Sequence, residues 1–374
     1  MNKEIIKRIL EGFDPVKHNL PVDFLLTNLT ELKGCGCKVA QEVMFKFPAF
    51  WLPVLFLGIG LDSCIIPLRH EGLWLVQTTD FFYPLVDDPF LMGRITCANV
   101  LSDLYACGVS ICDNMLTLLG IPRDMDVKVR EIVIAMFLDG FKQTAAEVGT
   151  TIRGGQTVKC PWLLLGGVGT AVCSRKDMSK LQDAQPGDKI VLTKPVGGQV
   201  AVNSFEWLKR NNPKVKDLNL DEKKIRRAYQ QTVEQMCRLN RNAAELARKY
   251  HAHASTDVTG FGLIGHADNL AKSQRRNCKF VIEKMPVIEY TEEISRKMGN
   301  GFRLYDGRAA ETSGGLLIVV EEKDAEPLCK ELEKLDGFPA WIIGTVAERT
   351  GDGDTYAEFS KNLEIFTVPS RIHS

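Results

Sequence analysis

The sequence predicts a two-domain protein of mixed α and β layers, on three observations. At 374 residues the chain exceeds what one ordinary core holds. Apolar strand-like runs alternate with helix-like ones, most clearly in the second half, which is the pattern of α/β layering. The balance of 45% hydrophobic and 25% charged residues is that of a soluble globular chain. A net charge of zero gives no electrostatic case for nucleic acid or a membrane surface as partner. The 11 cysteines are an odd number behind a charged start, Met1-Asn2-Lys3-Glu4-Ile5, which reads as a cytoplasmic chain with reduced thiols.

In order, residues 1–33 hold a short helix and a loop, and Gly34-Cys35-Gly36-Cys37-Lys38 follows. Two thiols between glycines make a segment that bends closely around something. Lys38 is expected to lower the pKa of Cys35 or Cys37, because a nearby ammonium favours the thiolate. The apolar run 47–61 carries Pro48 and Pro53 and is shorter than the roughly 20 residues that span a bilayer. It reads as an apolar linker, 47–57, leading into a strand over 55–62 that ends at Asp62. Two short runs, 65–68 and 73–78, form further strands around His70-Glu71-Gly72, the second reaching Asp80.

Helical spacing covers 90–107, with Gly108 closing it, and puts Asn99 and Asp103 four apart on one face. A strand spans 115–120. Asp126 caps a helix over 127–148 that Gly149 ends. Gly154-Gly155-Gln156-Thr157 is a glycine turn able to present backbone N–H groups to phosphate, and 162–172 is a strand. Pro186-Gly187-Asp188 marks a turn, so the domains are 1–183 and 184–374. Beyond it come a strand at 189–193, one long helix or two over 220–250, and a strand 254–257 running into Thr259-Gly260-Phe261-Gly262. That glycine turn opens a helix, 263–273, whose N-terminus suits an anion. Strands at 279–282, 315–320 and 340–345 and a helix at 323–335 complete the reading. Glu311-Thr312-Ser313-Gly314-Gly315 reads as a turn without assigned chemistry.

The chemistry lies in the carboxylates. Asp62, Asp80, Asp103 and Asp257 stand at strand ends or on a helix face beside glycines, and hard oxygen donors in that setting suit Mg²⁺ shared with substrate phosphates. The six histidines show no zinc spacing, and there is no GxxxxGK[ST] loop or CxxC pair.

Taken jointly, several motifs are more specific than any one alone. They are Gly34 to Lys38, Gly58-Ile59-Gly60-Leu61-Asp62, Thr78-Thr79-Asp80-Phe81-Phe82, and Gly93-Arg94 through Asn99 to Tyr105. Further on come Gly154 to Thr157, Leu192-Thr193-Lys194-Pro195, Thr256 to Gly262, and Thr312-Ser313-Gly314-Gly315. In this order, over almost the whole chain, they resemble the selenophosphate synthetase (selenide, water dikinase) family. The resemblance implies an aminoimidazole ribonucleotide synthetase-like fold, with an N-terminal α+β domain that pairs with a second copy into a β-barrel and a C-terminal α/β domain. It implies the reaction ATP + selenide + water → selenophosphate + AMP + phosphate, with Mg²⁺ and commonly potassium, in a homodimer. It implies that Cys35 is catalytic, with Lys38 its partnering base or charge, and that Asp62, Asp103 and Asp257 bind the metal. Nucleotide contacts are implied for Lys38, Gly60, Leu61, Asp62, Asp80, Asp103, Gly154, Gly155, Gln156 and Thr157. Two other readings stand beside it. One is a sibling ATP enzyme acting on a purine intermediate or a thiamine phosphate, and the other is a non-catalytic nucleotide-binding redox regulator.

Overall fold

A computed structural model describes residues 2–38, 62–349 and 356–372. The expected strand at 55–62 up to Leu61, the apolar linker 47–57, and Gly60 and Leu61 lie outside them.

The first half builds a five-stranded sheet in the order β1-β2-β5-β3-β4, from Cys64–Pro67, Leu73–Phe82, Leu164–Ser174, Asn114–Pro122 and Ile152–Cys160. Only β3 and β4 run parallel. Helix α1, Lys3–Glu11, precedes the sheet, and α2, Pro89–Ala106, and α3, Val127–Glu147, pack against each other. Alternation on β2 decides its two faces. Val76, Thr78, Asp80 and Phe82 are buried toward α2, while Leu73 and Phe81 stay exposed on the other side. Two helix ends expected from sequence are present: Asp126 accepts the Lys128 and Val129 N–H groups, and Gly108 ends α2 with positive φ. A further cap, not expected, is Asp88, which accepts the Phe90 and Leu91 N–H groups. Arg8 of α1 ion-pairs with Asp88, tying the N-terminal helix to the cap of α2.

One expectation fails here. Gly154 to Thr157 is no turn but the middle of β4, an exposed edge strand paired in parallel with β3. The hydrogen-bond ladder to Leu116–Leu119 holds these glycines extended, which local sequence does not announce.

The second half builds a six-stranded sheet, β11-β8-β10-β6-β9-β7. The strands are Lys189–Leu192 (β6), Ala254–Asp257 (β7), Cys278–Ile288 (β8), Leu316–Val320 (β9), Trp341–Glu348 (β10) and Ala357–Val368 (β11). Five consecutive buried residues make β9 a central strand covered on both faces. The 220–250 stretch resolves into two helices, α5 over Glu222–Cys237 and α6 over Arg241–Lys249. They follow α4, Gly198–Lys209, a helix for which the sequence gives no expectation. Helix α7, Gly262–Lys272, follows β7, and α8 is Glu322–Asp336. The 11 cysteines form no disulfide. Among the described residues no helix is long and apolar enough to cross a membrane.

Candidate active site

The site forms where the two halves meet. The Cys35–Cys37 turn is a single 3₁₀ turn closed by the Lys38 N–H on the Cys35 carbonyl, 3.1 Å. It is hooked to the end of β2 through Gly34 N–H and the Tyr83 carbonyl, 3.0 Å. From the second half, Gly260 lies under it. A Cβ at Gly260 would stand 2.4 Å from the Cys35 carbonyl oxygen, so only glycine lets the two backbones approach.

Asp62, Asp103 and Asp257 arrive from the start of the first sheet, from α2 and from the end of β7. One carboxylate oxygen from each lies within 4.8 Å of the others. At that spacing and an effective dielectric near 20, each ionised pair repels by roughly 3 kcal/mol. Thr256 Oγ1 donates to Asp62 Oδ1 at 3.0 Å and Thr78 donates to Asp103. One oxygen of Asp257, a residue 1% exposed, is buried without any partner. Burial first, then the neighbouring carboxylates, hold the Asp62 and Asp103 carboxyls well above the usual range. Burial also raises Asp257, against the pull of Ser102 and Lys38. Three converging carboxylates and an orphaned oxygen are a donor set that fits a hard divalent cation.

Asp80 joins them from β2. Asn99 Nδ2 donates to it at 2.5 Å, and the Lys38 ammonium stands 4.0 Å away. Burial opposes charge on Lys38, but Asp80, Cys35, Asp103 and Asp257 outweigh it, so the ammonium is held charged above its ordinary range. Together these groups line a pocket of about 220 Å³ that also takes in Thr259, Phe261 and His266. The Thr259–Gly262 turn is less open to anions than its sequence suggests. The Phe261 N–H already donates to His266 Nε2 at 3.3 Å, and burial pushes that imidazole down to about 3, so it is neutral.

The thiols behave opposite to expectation. Cys35 is 1% exposed; its N–H donates to Thr312 Oγ1 at 3.1 Å and its thiol faces Asn99 Oδ1 at 3.7 Å. Burial, reinforced by Asp80, pushes the Cys35 thiol far up, and Lys38 offsets only part of this. Burial also raises Cys37. An enclosed thiolate loses more solvation than one ammonium returns.

Sequence reasoning passed over the support beneath the turn. Asn99 Oδ1 also accepts the Ser313 N–H at 2.7 Å. Ser313, at φ 48°, passes its carbonyl to the buried Lys194 ammonium, 2.9 Å, which also donates to the Arg238 carbonyl at 2.7 Å. Burial lowers Lys194 to about 7. Glu311 accepts the N–H groups of Gly197 and Gly198 at the start of α4. Apolar strand β9, directly after a Thr-Ser-Gly-Gly turn, was the signal that this turn is buried. None of Gly154, Gly155, Gln156 and Thr157 is among the described residues lining the pocket. On the register row Asp80–Gly167–Thr117–Gly155 they sit three strands away, about 14 Å at ordinary strand spacing.

Residues 60–173 match the family described as AIR synthase related protein, N-terminal domain, and 185–356 its C-terminal domain. A probable selenide, water dikinase of Caenorhabditis elegans is 57% identical, covering 98% of this chain and 99% of its own length. A selenide, water dikinase of Trypanosoma brucei brucei is 41% identical, covering 96% and 94%. Among solved structures, thiamine monophosphate kinase from Aquifex aeolicus aligns with a TM-score of 0.61 at 18% identity over 88% of this chain and 98% of that one. The hydrogenase maturation protein HypE in complex with ATP gives 0.56 at 18% over 87% and 90%. The fold is that of the AIR synthase-related proteins.

Proposed function

The chain belongs to the selenide, water dikinase family, and we propose that it makes selenophosphate from selenide and ATP, with water taking the second phosphoryl group. ATP gives its γ-phosphoryl to selenide, and the resulting ADP is hydrolysed to AMP and phosphate. The observation that carries this reading is the juxtaposition of the Cys35–Lys38 turn with the carboxylate trio. Asp62, Asp103 and Asp257 would hold Mg²⁺, which supplies neutralisation of the triphosphate charge.

The chain's own groups do the rest. Lys38, kept charged by Asp80, stands ready beside the transferring phosphoryl group. Asn99 orients both Asp80 and the Cys35 thiol. Cys35 rests protonated in its buried place, so it meets selenium as a thiol positioned by Asn99 and Thr312 and becomes a thiolate only on giving up that proton. The close approach of Gly260 to the turn would shield the selenium step from water, while the ADP step admits it.

The same reading puts the domain boundary near 183, which the spans of the two matched segments, 60–173 and 185–356, support. A second copy pairing over the open face of the first sheet would cover exposed Leu73, Phe81 and Val172 and bring β4, with Gly154, Gly155, Gln156 and Thr157, toward a nucleotide site. Free thiols throughout support a reducing, cytoplasmic setting.

The test is anaerobic phosphorus NMR with ATP, Mg²⁺, potassium and selenide beside a selenide-free control. A selenide-dependent phosphorus signal with AMP and phosphate in step is expected, and cleavage to ADP regardless of selenide overturns the reading. Cys35→Ser should lower selenide-dependent turnover by roughly a hundredfold or more while ATP still binds. A variant as active as the parent removes Cys35 from the mechanism.

A further inference from the structure

Two openings flank the Cys35–Cys37 turn, and they differ in size and charge. The carboxylate pocket holds about 220 Å³. On the other side lies a cavity of about 650 Å³. One wall is a stripe of α4 and the residue just past it, with Gln199, Asn203, Glu206 and Arg210 at helical spacing on one face. The facing wall is the chain leading into the turn, with Lys33, Gly34, Gly36 and Cys37.

The turn's two thiols divide between these spaces. Cys35 faces Asn99, and through it Asp80 and the carboxylates. Cys37 lines the large cavity, half-buried, with its thiol on the Gly34 carbonyl at 3.0 Å. At Gly36 the turn packs closely against α4 and Ala310. A Cβ there would stand 3.2 Å from Gln199 Nε2 and 3.3 Å from the Ala310 Cβ.

Charge separates the two openings as well. In the pocket, Asp62, Asp80, Asp103 and Asp257 face one ammonium, Lys38. In the cavity, Lys33 and Arg210 balance Glu31 and Glu206, with Lys33 Nζ 2.6 Å and Arg210 Nε 2.8 Å from Glu206. Hydrogenselenide is an anion at neutral pH. With nucleotide and metal in place the 220 Å³ pocket is filled, whereas the larger cavity stays open, presents no excess of negative charge and leads to a thiol.

We propose that hydrogenselenide binds in and enters through the 650 Å³ cavity on the Cys37 side, so that the turn separates a selenium site from the nucleotide site. This rests on the dikinase reading above. Cys37 and Gly36 form the threshold, and Cys35 lies on its far side.

Asn203→Trp fills the cavity from α4 and Asn28→Trp from the opposite rim; neither residue lines the carboxylate pocket. In either variant the KM for selenide should rise about tenfold or more, with the KM for ATP within about twofold and kcat at saturating selenide retained. An unchanged selenide KM in variants that keep the parent's melting temperature overturns the proposal, and so does an equal rise in both KM values. Anaerobic soaking of crystals with selenide, read by anomalous scattering at the selenium edge, gives an answer without turnover. A peak beside Cys37 supports the proposal, and a peak confined to the carboxylates overturns it. If no selenophosphate forms at all, the dikinase reading has failed and the soak still reports on the cavity. If selenophosphate forms with selenide KM unchanged, only the entry site has failed.

Discussion

A trio of enclosed carboxyls and a single buried one, Glu311, sit beside the Cys35–Cys37 turn, and they are satisfied in opposite ways. Asp62, Asp103 and Asp257 converge within 4.8 Å with one oxygen left unpartnered. Glu311, 3% exposed, is alone among acids and accepts from Gly197 N–H at 2.6 Å and from Gly198 N–H at 3.1 and 3.0 Å. The first arrangement is at odds with itself as it stands and suits a cation; the second is complete as folded. Self-repulsion that folding tolerates marks the groups kept for chemistry, and full satisfaction marks the groups kept for position.

The largest effect that sharpens this contrast is the loss of a trio member. Asp257→Asn should lower kcat/KM for ATP by about two to three decades, the several kcal/mol that metal-held phosphates contribute. The metal-free variant should melt no lower than the parent, because a repelled buried charge has gone. Kinetics and calorimetry on one preparation check both halves, and a large fall in metal-free melting temperature would place Asp257 among the structural acids instead.

Glu311→Ala should do the reverse. It strips the bonds at the start of α4 and leaves buried N–H groups unpaired, costing about 2–3 kcal/mol of stability by denaturant unfolding. A Cβ on Gly198 would lie 2.4 Å from Glu311 Oε2, so Gly198→Ala should destabilise the same contact. Activity should fall only so far as Thr312 loses its place under Cys35. Undiminished stability in Glu311→Ala would break the comparison.

The same contrast explains how much of the molecule was legible beforehand. The helix carrying Asn99 and Asp103 showed itself through local signals, its spacing and a closing glycine, and the one after Asp126 through its cap and a closing glycine. Helix α4 did not, because its N-terminus is capped by Glu311, 113 residues from Gly198, with no capping side chain at Gly197. Edge strand β11 was missed for a related reason: its register shifts between Phe359 and Glu364, so its alternation is broken. At the site, aspartates at strand ends or on a helix face suggested four candidates, Asp62, Asp80, Asp103 and Asp257, and only the family resemblance singled out the trio that converges. The thiol pKa went the wrong way, because sequence shows Lys38 next to the cysteines but not the burial or Asp80 across the fold. Position along the chain reports attraction between neighbours, while enclosure is a property of the whole.

The pH dependence of stability tests the Glu311 half most finely. Burial raises its carboxyl from an ordinary 4.5 to about 8, against the pull of the Gly197 and Gly198 N–H groups. Between those values the folded state keeps a proton that the unfolded chain releases. Stability contributed by Glu311 should therefore be fully present below pH 4.5 and lost as pH rises toward 8. The slope cannot exceed about 1.4 kcal/mol per pH unit for one group. Glu311→Gln, neutral at every pH, should flatten that part of the profile relative to the parent. A parent profile no steeper than the variant's would mean that the N–H groups overcome burial and Glu311 is ionised in the fold. Its contrast with the trio would then be one of a hydrogen-bonded charge against a self-repelling cluster, and not of a neutral acid against that cluster.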